Sequence, residues 1–164
     1  MKRALKIKPI DRNEDLYHYK ASGLDNYWLS PGLYEMGEHD GQKTITFHKL
    51  PQIHAAIGIH ICSLNRPLGS REVRFLRTEI GLSQADLGHA LGYKDKQRVA
   101  AAEKQDGKRT PLLGPADLLL REHYLNWLGP HPLAGKAFRD NAIQLGQSLY
   151  HPHPAEDLNW QIVA

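Results

Sequence analysis

The chain has 164 residues, 41% of them hydrophobic and 24% charged, with a net charge of +3 and one cysteine. That length holds one moderate domain or two small ones, and a single thiol rules out both a disulfide framework and a four-cysteine zinc site. No continuous apolar run approaches about 20 residues, and the start, MKRALKIKPIDRNED, lacks the apolar stretch of a signal sequence, so a cytoplasmic protein without a membrane span is expected.

Residues 1–50 read as a small β-rich module. Tyr17, Tyr19, Tyr27, Trp28 and the run Thr44-Ile45-Thr46-Phe47 are strand formers, while Ser22-Gly23, Ser30-Pro31-Gly32 and Asp40-Gly41 are turn signals, a pattern that predicts a small antiparallel sheet. A linking helix is predicted over 51–66: Pro51 suits a first helical turn, and Ile53, Ala56, Ile57, Ile61 and Leu64 form a stripe that stops near Asn65-Arg66-Pro67.

Residues 67–128 carry the most informative pattern. Val73, Leu76 and Ile80, and then Leu82, Ala85 and Leu87 to Leu91, recur at helical spacing, so two short helices each have one apolar stripe and must pack together. Ser83, with Asp86 three residues on, suits the start of the second helix, and Gly92 suits its end. After Tyr93-Lys94, Asp95 caps a third helix, Lys96 to Lys104, with Val99 inward and Lys96, Gln97, Arg98 and Ala101 outward. Two helices, a glycine turn and a cation-bearing helix in this order form a helix-turn-helix, which presents its last helix to a DNA major groove. A fourth element near Thr110 to Leu113 and a fifth helix, Pro115 to Leu128, complete the domain. Leu118, Leu119, Leu120, Tyr124, Leu125 and Leu128 exceed one face of that helix, which suits a core and a dimer contact together. In 129–164, Leu133 to Leu149 reads as a C-terminal helix, followed by a tail whose Leu158, Trp160, Ile162 and Val163 are apolar enough to dock. The expected fold class is α+β, mainly α.

Charge is distributed unevenly. Residues 1–10 carry four cations and no acid. Residues 11–40 carry seven acids against Arg12 and Lys20, a net of −5 that would repel phosphate, whereas residues 70–109 carry nine cations and six acids. The acidic segment is expected to face away from DNA.

Residues 74–104 resemble the Cro/repressor (Xre-type) class of helix-turn-helix proteins through Leu76-Arg77, Gly81-Leu82-Ser83-Gln84, Leu87, Leu91-Gly92, Val99 and Glu103. Two features depart from that pattern: the turn through Tyr93-Lys94-Asp95-Lys96 is one residue longer, and Ala102 stands where an aromatic often precedes the Glu. The resemblance implies an internal ion pair between Arg77 and Glu103, which removes both from the list of DNA contacts. More weakly, Tyr17 to Leu29 followed by this motif is similar to relatives of MqsA-type antitoxins, which implies an N-terminal module joined to a DNA-binding domain. The zinc-binding Cys-x-x-Cys pairs of that group are missing, and Cys62 reads as a core residue.

The expected function is a sequence-specific double-stranded DNA-binding regulator, an operon autorepressor that binds an inverted repeat as a homodimer. Lys96, Gln97, Arg98 and Ala101 would meet base edges, while Ser83, Gln84, Lys94, Lys104, Lys108 and Arg109 would hold phosphate. The alternative is an antitoxin whose N-terminal module neutralises a toxin protein. The ten histidines include no metal-binding spacing, because His54 and His60 are not on an i, i+4 face and His151 and His153 flank a proline. No nucleophile motif or phosphate-binding glycine loop occurs. Neither a metal, a cofactor nor an enzyme is expected.

Overall fold

The computed structural model describes residues 5–105, 111–129 and 159–164. The fold is mixed: among the described residues there are five helices and six strands. They are β1 (Lys6–Pro9), β2 (Tyr17–His18), β3 (Tyr27–Leu29), β4 (Tyr34–His39), β5 (Gln42–Phe47), α1 (Leu50–Ser63), α2 (Ser70–Ile80), α3 (Gln84–Ala90), α4 (Gln97–Ala102), α5 (Gly114–Leu128) and β6 (Trp160–Val163). The C-terminal helix predicted over Leu133 to Leu149 lies outside the described residues, as do Lys108 and Arg109. No helix among those described is long and apolar enough to cross a membrane. The described residues form two compact units, one up to Ile57 together with β6, the other from Gly58 through α5.

The first unit holds two sheets. β4 and β5 form an antiparallel hairpin, as the turn signal Asp40-Gly41 predicts. The other sheet has the order β1-β6-β3-β2, with β6 antiparallel to β1 and parallel to β3. The expected small N-terminal antiparallel sheet is present with one departure: a strand from the far end of the chain, parallel to β3, fills its centre. The reason is chemical as well as apolar. Ile162 is fully buried, and so is the Gln161 amide, which accepts from the Asp11 N–H at 3.0 Å and donates to Ser30 Oγ at 2.7 Å and to Glu14. A central strand can bury a side-chain amide only when its donors and acceptors are all engaged in this way. Tyr19, fully packed beneath the hairpin, shares a 2.7 Å hydrogen bond with His54 Nε2 of α1.

The second unit is helical. Val73, Phe75 and Leu76 of α2, Leu87 and Leu91 of the α3 segment, and Leu120 and Tyr124 of α5 are buried. Ala85, expected in the second stripe, is exposed, and Ile80 is half-buried. The inner face of α5 is not purely apolar. Asp117 and Arg121, one helical turn apart, are both buried and bonded at 2.7 Å. Arg121 also donates to the carbonyls of Leu64 at 2.7 Å and Arg66 at 2.6 Å, just beyond the end of α1, and Asp117 accepts the Leu68 N–H at 2.8 Å. The guanidinium thus meets carbonyls that no helical N–H can reach. Gly58 of α1 is required by the same packing, since a Cβ there would lie 2.1 Å from the Tyr124 ring.

Candidate nucleic-acid interface

Local chemistry sets the three short helices α2, α3 and α4. Glu72 accepts the Gly69 N–H at 2.6 Å at the start of α2 and takes a paired bond from Arg66 at 2.7 and 2.8 Å. Gly81, at φ +82°, ends that helix. Ser83 and Asp86 then exchange caps: Ser83 Oγ accepts the Asp86 N–H at 3.1 Å, and Asp86 accepts from the Ser83 N–H and hydroxyl. Gly92, at φ +78°, turns the chain out of α3. Asp95 Oδ1 accepts the Gln97 N–H at 2.8 Å at the entry to α4.

Helix α4 runs from Gln97 to Ala102, shorter than the predicted Lys96 to Lys104. Lys96 flanks its first turn, and Glu103 leaves the helix to enter the core. Glu103 is 3% exposed and receives Arg77 through Nε at 2.6 Å and Nη2 at 3.0 Å, Gln84 Nε2 at 2.9 Å, and Arg74 Nε at 3.5 Å. Burial pushes the Glu103 carboxyl up, but the hydrogen bonds from Arg77 and Gln84 and the charges of Arg77 and Arg74 outweigh it, so its pKa lies below the ordinary carboxylate value. This carboxylate ties α2, α3 and α4 together.

The placement of the predicted contact residues follows from that knot. Lys94, Lys96, Gln97, Arg98 and Lys104 are exposed, Ala101 is half-buried, and Val99 and Ala102 point inward. Gln84 is the departure: the side-chain amide assigned to phosphate is bound to Glu103 instead. The Ser83 hydroxyl, though exposed, is engaged with Asp86. Two features escape a reading by residue type. The Arg98 guanidinium carbon stands 6.0 Å from the centroid of the Tyr93 ring, within cation–π range. Gly88 brings α3 against the backbone before α4, where a Cβ would lie 2.6 Å from the Asp95 carbonyl oxygen; a glycine midway through the helical stretch of GLSQADLGHALG is the available signal.

Cys62 is buried and its thiol is pushed up to about 12, chiefly by that burial, which leaves no thiolate for chemistry. Among the described residues no group of three His, Cys, Asp or Glu side chains could hold a metal ion. No protein-family model, curated protein or solved structure matches the chain.

Proposed function

We propose that residues 70–104 form a helix-turn-helix of the Cro/repressor type and that the protein is a sequence-specific double-stranded DNA-binding regulator, acting as a homodimer on an inverted repeat. The observation that carries this reading is the arrangement of α4: Lys96, Gln97 and Arg98 are exposed on a short helix whose Val99 and Ala102 are buried, while the acid at its end, Glu103, is withdrawn into the core and neutralised. The outward surface there is consequently cationic and polar, the chemistry that meets phosphate and base edges. Lys94 and Lys104 flank it. Arg98 is suited to guanine O6 and N7, and Gln97 to adenine N6 and N7.

The test is selection of duplexes from a random library by the purified protein, followed by titration of the enriched and scrambled duplexes at two salt concentrations. The reading expects enrichment of an inverted repeat and binding that weakens steeply with salt. Equal, weak binding to both duplexes overturns it.

A further inference from the structure

The β4–β5 hairpin is closed by Asp40-Gly41, both at positive φ (50° and 76°), the two-residue turn whose flanking residues exchange both hydrogen bonds. His39–Gln42 is therefore a bonded pair, and alternation makes Gly37–Thr44 and Glu35–Thr46 the next ones. The His48 N–H to Leu33 carbonyl bond, at 2.8 Å, continues that alternation. It follows that the N–H and C=O groups of Lys43, Ile45 and Phe47 point outward from β5, and those of Tyr34, Met36 and Glu38 outward from β4. Among the described residues no strand pairs with either edge.

The base of the hairpin is anchored, with Tyr17 ring centroids 5.2 Å from Tyr34 and 5.7 Å from Phe47. The next pair on that face, Met36 and Ile45, runs past the anchor, and Met36 is 65% exposed. A two-stranded ribbon is marginal in water without a further strand or a covered face. Open edges are ordinarily guarded by charge, proline or bulges. β4 is guarded by Glu35 and Glu38, whereas β5, with the sequence QKTITF, has Lys43 as its single charge.

We infer that the β5 edge pairs antiparallel with the β5 edge of a second copy of this chain, about a twofold axis at Ile45. In that register Ile45 faces Ile45 of the partner subunit, Thr44 faces Thr46 of the partner subunit, and Lys43 faces Phe47 of the partner subunit. No like charges are opposed, and the outward N–H and C=O groups of each strand meet their complements. The apolar face becomes one row, Met36 and Ile45 from both copies, across four strands. Self-pairing through β4 would instead gather the Glu35 and Glu38 carboxylates of both copies at one seam, an unfavourable arrangement. The inference deepens the homodimer of the proposed function by naming its contact, and it rests on the chemistry of the hairpin alone.

The experiment is sedimentation of the full chain across a concentration range, combined with amide hydrogen exchange read residue by residue. A dimer is expected in which the Ile45 and Phe47 amides exchange at least tenfold more slowly than in the dilute monomer, while those of Met36 and Glu38 do not change. Ile45→Lys, which sets two cations face to face, should weaken dimerisation about a hundredfold, and Glu35→Lys should leave it intact. The exchange pattern is read on the unaltered protein, so a variant that fails to fold does not decide the matter. A chain that stays monomeric, a dimer with unprotected Ile45 and Phe47 amides, or a folded Ile45→Lys variant that still dimerises overturns the inference. The DNA-binding reading fails separately, when selection enriches no duplex whatever the oligomeric state.

Discussion

Gly88 and the carbonyl of Asp95 are closer than any side chain permits: a methyl group at Gly88 would sit 2.6 Å from that oxygen. The obstacle is backbone and not a side chain that can swing away, so Gly88→Ala must displace the segment that leads into α4. The expected cost is about 1–3 kcal/mol, typical of overpacking, measured as a lower midpoint in urea. DNA affinity should fall by more than the stability loss explains, because the shifted segment carries Lys96, Gln97 and Arg98.

Glu103 binds Arg77 almost out of reach of water, with Arg77 at 13% and Glu103 at 1% side-chain exposure. Removing the carboxylate takes the acid from Arg77, Gln84 and Arg74 together, so Glu103→Ala is expected to cost about 3 kcal/mol or more. Arg77→Met with Glu103→Leu should cost less than the sum of the two single changes. A double-mutant cycle by denaturant unfolding checks this, and additive losses would show that the pair is not energetically coupled.

Arg98 and Lys104 should separate base reading from phosphate holding. Arg98→Ala is expected to lose about 1–3 kcal/mol on the selected duplex and to relax preference at one base pair, while Lys104→Ala weakens every sequence and reduces the salt slope by about one. Titrations of both variants on selected and scrambled duplexes check the split. An equal loss on all sequences for both would contradict these roles.

Acid should destabilise the protein first through His60. Burial above all holds His60 down at about 4, below its ordinary 6.5, so protonation favours the unfolded chain; that stability is complete above about pH 6.5 and is lost as pH falls toward 4. Burial pushes both Glu72 and Glu103 up, but Arg66 and the Gly69 N–H outweigh it at Glu72, and Arg77, Gln84 and Arg74 outweigh it at Glu103, so both lie below the ordinary carboxylate value and their contribution is lost at lower pH, as they take up protons in the folded state. Unfolding midpoints should fall between about pH 7 and 4, and His60→Gln should flatten that part; below it Asp117, whose carboxyl is pushed up chiefly by burial, works against the loss from Glu72 and Glu103.

Gln161→Met keeps the length of the side chain but strands the Asp11 N–H and removes the amide donor from Ser30 Oγ and Glu14. A loss of about 2–4 kcal/mol is expected, from buried groups left unsatisfied, measured by thermal or urea unfolding of the full chain.

The most legible features were those whose causes lie within a few residues. Ser83 with Asp86, Gly92 and the Asp40-Gly41 turn are local solutions to capping and to positive φ, and each is readable from residue type and spacing. The Arg77–Glu103 bond spans α2 to α4 and was accessible through the family resemblance, whereas Gln84, chosen for phosphate by its position, turned to the same carboxylate because a buried acid attracts every donor within reach. The Asp117–Arg121 pair was missed because a helix face scored by its leucines does not register two charges that satisfy one another and the carbonyls past α1. β6 was invisible for a different reason. Trp160, Ile162 and Val163 signalled docking, but their partners lie about 150 residues away, and no local pattern specifies such a pairing.

That separation sets an order of events during synthesis. β1 and β3 emerge early, yet β6 is the strand that lies between them, so their shared sheet is left with a gap until residues 160–163 have been made. The helices α2 to α5 depend on contacts much nearer in sequence and can form while that gap is still open. The half of the molecule that is translated first is therefore completed last, and in the interval its unpaired strands are the part of the chain most exposed to mispairing.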